Sequence, residues 1–192
     1  MKAITMLLTA LLLAACGSSS DQHAATATPT DVQTRLDEIS GYVTDWQQAG
    51  DLAAATSAAE AAANLVVGPN GPGYGDRNGD GEISGAGDVG LLPGSDGTPT
   101  GLVLDVIGDV ECVHQDVLGG AWDDPAARWG ELAAAIADWA ADNNTFPSLA
   151  AHPMRLVGWA TLTQTATLDE AHQYAGHAAL HVSVAEQALA NC

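Results

Sequence analysis

Between residues 76 and 83 the chain reads Asp-Arg-Asn-Gly-Asp-Gly-Glu-Ile, which puts oxygen-bearing side chains at the first, third and fifth positions of the string. A hard cation such as calcium takes roughly six to eight oxygens, and this alternation lets a backbone wrap around one ion. Gly81, at the sixth position, permits the sharp turn such wrapping needs; Glu82 would offer its main-chain carbonyl; Ile83 adds a branched apolar residue at the eighth. The twelfth position, where a closing acid belongs, is Gly87, and the nearest carboxylate is Asp88, one residue later. A slightly expanded loop closed by Asp88 gives an expected calcium site of Asp76, Asn78, Asp80, Glu82 and Asp88. The alternative is an Asp-, Asn- and Gly-rich turn with no metal.

A second chemistry could rest on histidine. His177 and His181 lie four residues apart in a helical stretch and share a face with Tyr174 and Glu170. Two imidazoles at that spacing can clasp a transition metal or frame a heme. No His-Glu-x-x-His surrounds them, so further ligands would have to come from other helices. A solvated polar stripe is the plainer alternative. His114 sits among the apolar positions of its own helix and His172 at the edge of the apolar stripe of the last. The two could point inward and meet, either as metal or heme ligands or as hydrogen-bonded core histidines.

Two local strings resemble known modules. The stretch from Asp76 to Ile83 resembles the loops of EF-hand and dockerin-type calcium modules over about nine residues, departing from them at the closing acid. The wider run from Gly71 to Pro93 is similar to a loop of uncharacterised secreted bacterial helical domains, which supports Asp88 as part of the motif. At the start, Met1-Lys2 and an apolar run to Ala15 have the layout of a secretory signal, too short for a spanning helix. Leu13-Ala14-Ala15-Cys16 resembles the bacterial lipobox. That resemblance implies cleavage before Cys16, lipidation of its thiol and attachment to a bilayer, with the outer membrane favoured over the inner in a Gram-negative cell because Gly17 is not Asp.

These expectations shape the rest. With Cys16 lipidated, Cys112 and Cys192 remain as an even pair in an oxidising compartment, and a disulfide between them would contribute up to ~4.5 kcal/mol in the chain-entropy model. Two free thiols are the alternative. Lys2 is the sole lysine, so the processed chain sets Arg35, Arg77, Arg128 and Arg155 against 24 acidic residues. Such a field repels nucleic acid and anionic headgroups and favours divalent cations, or else reflects a salty habitat. There is no Gly-x-Ser-x-Gly elbow, no phosphate-cradling Gly-x-x-x-x-Gly-Lys and no Cys-x-x-Cys-His. A non-enzymatic binding or structural module with an unidentified protein or small-molecule partner is the first expectation. A His-based metal or heme carrier is the second, and a hydrolase the third.

The elements that must carry these residues are helical. Residues 1–15 form the signal, 16–29 a tether containing His23, and 30–192 a single all-α domain of about six helices. Thr30 to Gln33 fits a capping box opening a helix with Val32, Leu36, Ile39, Val43 and Trp46 on one stripe. Asp51 caps an alanine-rich second helix that ends at Gly68-Pro69, completing a hairpin over 30–67. Residues 68–100 form a long Gly- and Asp-rich loop. Four helices follow over 101–192. The third carries Val103, Ile107, Val110, His114 and Val117. Asp124-Pro125 opens the fourth, with Trp129, Leu132, Ile136 and Trp139 on one side. The fifth spans Pro147 to about Thr163, with His152-Pro153 marking either its start or a kink, and the capping box from Thr167 to Glu170 opens the sixth.

Overall fold

The computed structural model describes residues 29–107 and 113–191. The expected signal, the lipidation site Cys16, the Cys112–Cys192 pair and the side chain of His114 lie outside the described residues. The helices are α1 (Pro29–Gln48), α2 (Leu52–Val67), α3 (Leu102–Ile107), α4 (Pro125–Ala137), α5 (His152–Thr163) and α6 (Leu168–Asn191), with a short π-helical segment at His114–Leu118. Among the described residues there is no strand, only a single bridge between Ala140 and Asn143. No helix among them is long and apolar enough to cross a membrane.

The stripe read from the sequence is the buried face of α1: Val32, Leu36, Ile39, Val43 and Trp46 are all buried. The chain then turns at Gly50, and the Asp51 side chain accepts a hydrogen bond from Ala54 N at 2.9 Å, satisfying one of the free amides at the start of α2. From Ala58 to Val67 every residue of α2 is buried. A helix buried around its whole circumference belongs at the centre of a fold, and α2 packs against α1, α5 and α6. Its small side chains let those neighbours approach. α1 packs against α2 and α6, and α5 against α2 and α6, giving a four-helix bundle. Each large side chain buried in it, such as Trp46 or Leu156, contributes about 1.5–3 kcal/mol.

The remaining pieces attach to this frame. α3 rests on α1, the π-helical segment on α5 and α6, while among the helices α4 touches α5. The long loop is tied to the end of α2: Leu91 N and Leu92 N donate to the carbonyls of Leu65 and Val66, both at 3.0 Å. These carbonyls have no partner within the helix, so the loop supplies what the helix end lacks. On its far side, the carbonyls of Gly90 and Leu91 accept from Leu102 N and Val103 N and start α3. Residues 90–92 thus splice one helix end to the next helix beginning.

Several boundaries differ from expectation. α1 already includes Pro29, so Thr30 is inside the helix and not its cap. Pro147 does not open α5: His152 does, with Pro153 in the first turn, where its missing N–H costs nothing. Trp139 falls two residues beyond the end of α4. The expected third helix appears as α3 and the π-helical segment, on either side of residues that are not described. The second capping box forms as read: Thr167 N donates to Glu170 Oε2 at 2.8 Å, and Glu170 N to Thr167 Oγ1 at 3.4 Å. The bond to the Thr167 backbone, then that to its hydroxyl, holds the Glu170 carboxyl below its ordinary pKa.

Candidate functional site

The loop that carries Asp76, Asn78 and Asp80 is organised by two carboxylates, one of them unforeseen. Glu60, in the alanine run of α2, has no solvent exposure. Its Oε2 accepts from Arg77 N (2.6 Å) and Asn78 N (3.0 Å), and its Oε1 from Ser84 N (2.8 Å). One turn further along α2, Asn64 Nδ2 donates to the carbonyls of Gly75 and Ser84, and its Oδ1 accepts from Gly75 N. Both ends of the calcium-type string are therefore pinned to one face of α2. The close approach is possible because the loop residue there is Gly85, at φ +68°: a Cβ would stand 2.3 Å from the Ala61 carbonyl oxygen.

The second carboxylate is Asp76. Its Oδ1 accepts from Gly79 N (2.6 Å) and Asp80 N (3.1 Å), and its Oδ2 from Gly81 N (2.8 Å). Asn78 Oδ1 accepts from Asp80 N, Asp80 Oδ1 from Glu82 N, and Asn78 Nδ2 donates to Asp80 Oδ2. The alternating oxygens are brought together around a turn in which Gly79 and Gly81 take φ of +78° and +91°, conformations an L side chain rarely adopts. Asp76 Oδ1 accepts two of these N–H groups, whereas Asp76 Oδ2, Asn78 Oδ1 and Asp80 Oδ1 accept one each. Glu82 and Asp88 are exposed, Ile83 is 48% exposed, and among the described residues no group of three or more His, Cys, Asp or Glu is set to hold a metal. The loop near Gly87 leans toward Arg35, whose guanidinium donates to the Val89 carbonyl.

Beside the loop, α4 and α5 frame a pocket of about 520 Å³. Trp129, Ile136, Trp139, Met154, Val157 and Leu162 give it apolar walls; Arg77, Thr161 and Thr165 supply the polar groups. Trp129 is fixed by an Nε1 hydrogen bond to the Pro93 carbonyl (2.9 Å). Trp139 lies flat on α5 where the helix has Gly158, since a Cβ there would meet the indole at 2.6 Å. Its other contacts are stacking on Phe146 (5.8 Å) and an edge contact with Trp159 (5.5 Å). Arg77 joins loop and pocket: its amide is bound by Glu60 while its side chain lines the cavity. The Nε and Nη2 atoms are buried with no hydrogen-bond partner. Burial lowers the guanidinium pKa, against the opposing pull of Glu60.

The described histidines make separate contacts. His181 Nδ1 lies 3.0 Å from Nδ1 of His152, a residue the sequence reading left out of the histidine sites, and both are part-buried. Burial, then the neighbouring charges of His152, Arg155 and His177, pushes the His181 pKa down to about 4; burial and Arg155 lower that of His152, with Asp116 opposing. His177 stacks on Trp159 at 4.4 Å and 13°. His172 Nε2 bonds the Ala49 carbonyl at 2.9 Å, tying α6 to the α1–α2 turn. Sequence signals for Glu60 and His152 existed: Glu60 is the one charged residue in α2, and His152 precedes a proline at a helix start. Comparison with protein-family models, curated proteins and solved structures gives no match.

Proposed function

We propose that this chain is a lipid-anchored, extracytoplasmic binding module without catalytic activity, in which calcium orders the loop and the adjacent pocket takes a ligand. The observation that carries this reading is Arg77, whose backbone belongs to the calcium-type string and whose guanidinium lines the pocket. Asp76, Asn78, Asp80 and the Glu82 carbonyl would hold the ion, with Asp88 closing the shell. The ion supplies a positive centre for these oxygens, and the fold uses it as a fastening. A binding role is further supported by the pocket lining, apolar walls with a few polar groups.

Calorimetric melts of the full chain in calcium and in EDTA test this. At a calcium concentration ~100 times the dissociation constant, binding adds about 2.7 kcal/mol, or roughly 5–11 °C for a domain of this size. Asp80→Ala is expected to abolish that increment and leave the EDTA melt close to wild type. Identical melts in calcium and EDTA would sink the calcium half of the proposal. Mass spectrometry of the N-terminal peptide checks the anchor, with acyl chains on Cys16 expected.

A further inference from the structure

The four arginines past the N-terminal signal do not behave alike. Arg35 donates to the Val89 carbonyl, Arg128 to the Gly119 carbonyl and Arg155 to the Leu149 carbonyl, each tying a helix to a neighbouring loop. Arg77 runs the other way, from a loop toward helices, and its Nε and Nη2 are buried with no hydrogen bond to another described residue. The obvious counter-ion, Glu60, has both oxygens engaged by backbone amides. The two orphaned atoms, Nε and Nη2, form one edge of the guanidinium plane, and that edge matches the two oxygens of a carboxylate in a bidentate pair. Buried guanidinium N–H groups without acceptors cost free energy that a carboxylate would recover.

We propose that the pocket between the loop and α4–α5 binds an apolar monocarboxylic acid, its carboxylate on the Nε–Nη2 edge of Arg77 and its hydrocarbon body against Trp129, Trp139 and Met154. The cavity, about 520 Å³, falls within the ~300–1,000 Å³ range of small-molecule sites. Thr161 and Thr165 also line the cavity, but their hydroxyls donate to the carbonyls of Val157 and Leu162, which leaves Arg77 as the donor for a carboxylate. A single negative charge is favoured over a phosphate dianion because the chain carries a formal charge of −19. This inference rests on the reading of the pocket as the binding site and is independent of calcium in the loop.

Isothermal calorimetry on the full chain, with octanoate, octanol and octyl phosphate as probes, tests it. Octanoate is expected to bind roughly 10- to 100-fold more tightly than octanol, the ratio a charge-assisted bidentate contact supports. In Arg77→Met, octanoate should fall to the affinity of octanol while octanol is unchanged. Ala133→Phe, from an exposed position on the pocket wall, leaves the guanidinium intact and should weaken both ligands; it serves if the Arg77 variant fails to fold. Equal binding of octanoate and octanol, or tighter binding of octyl phosphate, would overturn the carboxylate assignment and leave the pocket standing. No binding of any probe to folded wild type would overturn the pocket itself, whatever the calcium melts show.

Discussion

Replacing Glu60 by glutamine changes a single atom type at the contact between α2 and the loop, and the expected cost follows from the hydrogen bonds. The carboxylate accepts three backbone amides, two on Oε2 and one on Oε1. A glutamine can keep its oxygen toward Arg77 N and Asn78 N, but its NH2 then confronts Ser84 N, donor against donor. Converting two charge-assisted bonds to neutral ones loses about 1 kcal/mol each, and orphaning a buried amide costs about 2 kcal/mol more. Against this gross loss of about 4 kcal/mol stands the relief of no longer burying a charge in a strongly acidic chain, about half as large. The net destabilisation is then about 2 kcal/mol, or ~4–8 °C in melting temperature. Glu60→Ala, which strands all three amides, should cost about twice that.

The sign is what decides, because net charge argues the other way and propensity is neutral. Glutamine is as good a helix former as glutamate, and losing a negative charge from a total of −19 eases self-repulsion. Urea denaturation of wild type and Glu60→Gln measures the difference, and hydrogen exchange locates it at the amides of Arg77, Asn78 and Ser84. A melting temperature within 1 °C of wild type, or above it, with unchanged exchange at those amides, would refute the assignment of Glu60 as the loop's anchor.

Two further substitutions probe other parts of the fold. Gly158→Ala should destabilise by about 1–3 kcal/mol although alanine is the better helix former by about 1 kcal/mol, because the new Cβ would meet the Trp139 indole at 2.6 Å; urea denaturation with near-UV circular dichroism reads both stability and ring displacement. The histidine pair predicts a pH dependence: with the His181 pKa depressed to about 4 and that of His152 also lowered, the unfolded chain binds protons more readily, so stability present above the ordinary histidine pKa of 6.5 is lost as pH falls through the window down to about 4. His181→Asn should flatten that slope; a stability profile as steep as wild type between pH 7 and 4 would show that the pair is not its source.

Much of the bundle was legible because its signals are local. The apolar stripe of α1, the caps at Asp51, Asp124 and Thr167, and the Gly68 stop each need only a few neighbouring residues, and each appears where it was read. The all-helical class follows from them. In the sequence the start of α5 is open between Pro147 and His152-Pro153, because both prolines satisfy the same local rule, and only tertiary packing chooses between them. Within the site, the spacing of Asp76, Asn78 and Asp80 gave the turn, since side chains two apart answer to one backbone geometry. The pocket and the His152–His181 contact were invisible, because the pocket joins residues of separate elements and the two histidines are 29 positions apart, with no pattern linking them.

The alanine run of α2 illustrates why such sites escape a one-dimensional reading. Its composition suggests a featureless packing helix, and on three sides it is one. The fourth face carries Ser57, Glu60 and Asn64, at the spacing that aligns residues on a helix surface. All three are occupied by the loop: Ser57 shares a hydrogen bond with Ser84 Oγ at 2.8 Å, and Glu60 and Asn64 hold its backbone. A polar triplet buried on a helix interior would be costly unless a partner brought N–H and C=O groups to meet it. The partner is the segment whose own glycines prevent it from forming regular structure. Loop and helix therefore satisfy each other's unmet hydrogen bonds, and the Arg77 side chain is directed into the pocket as a consequence of where its amide is held.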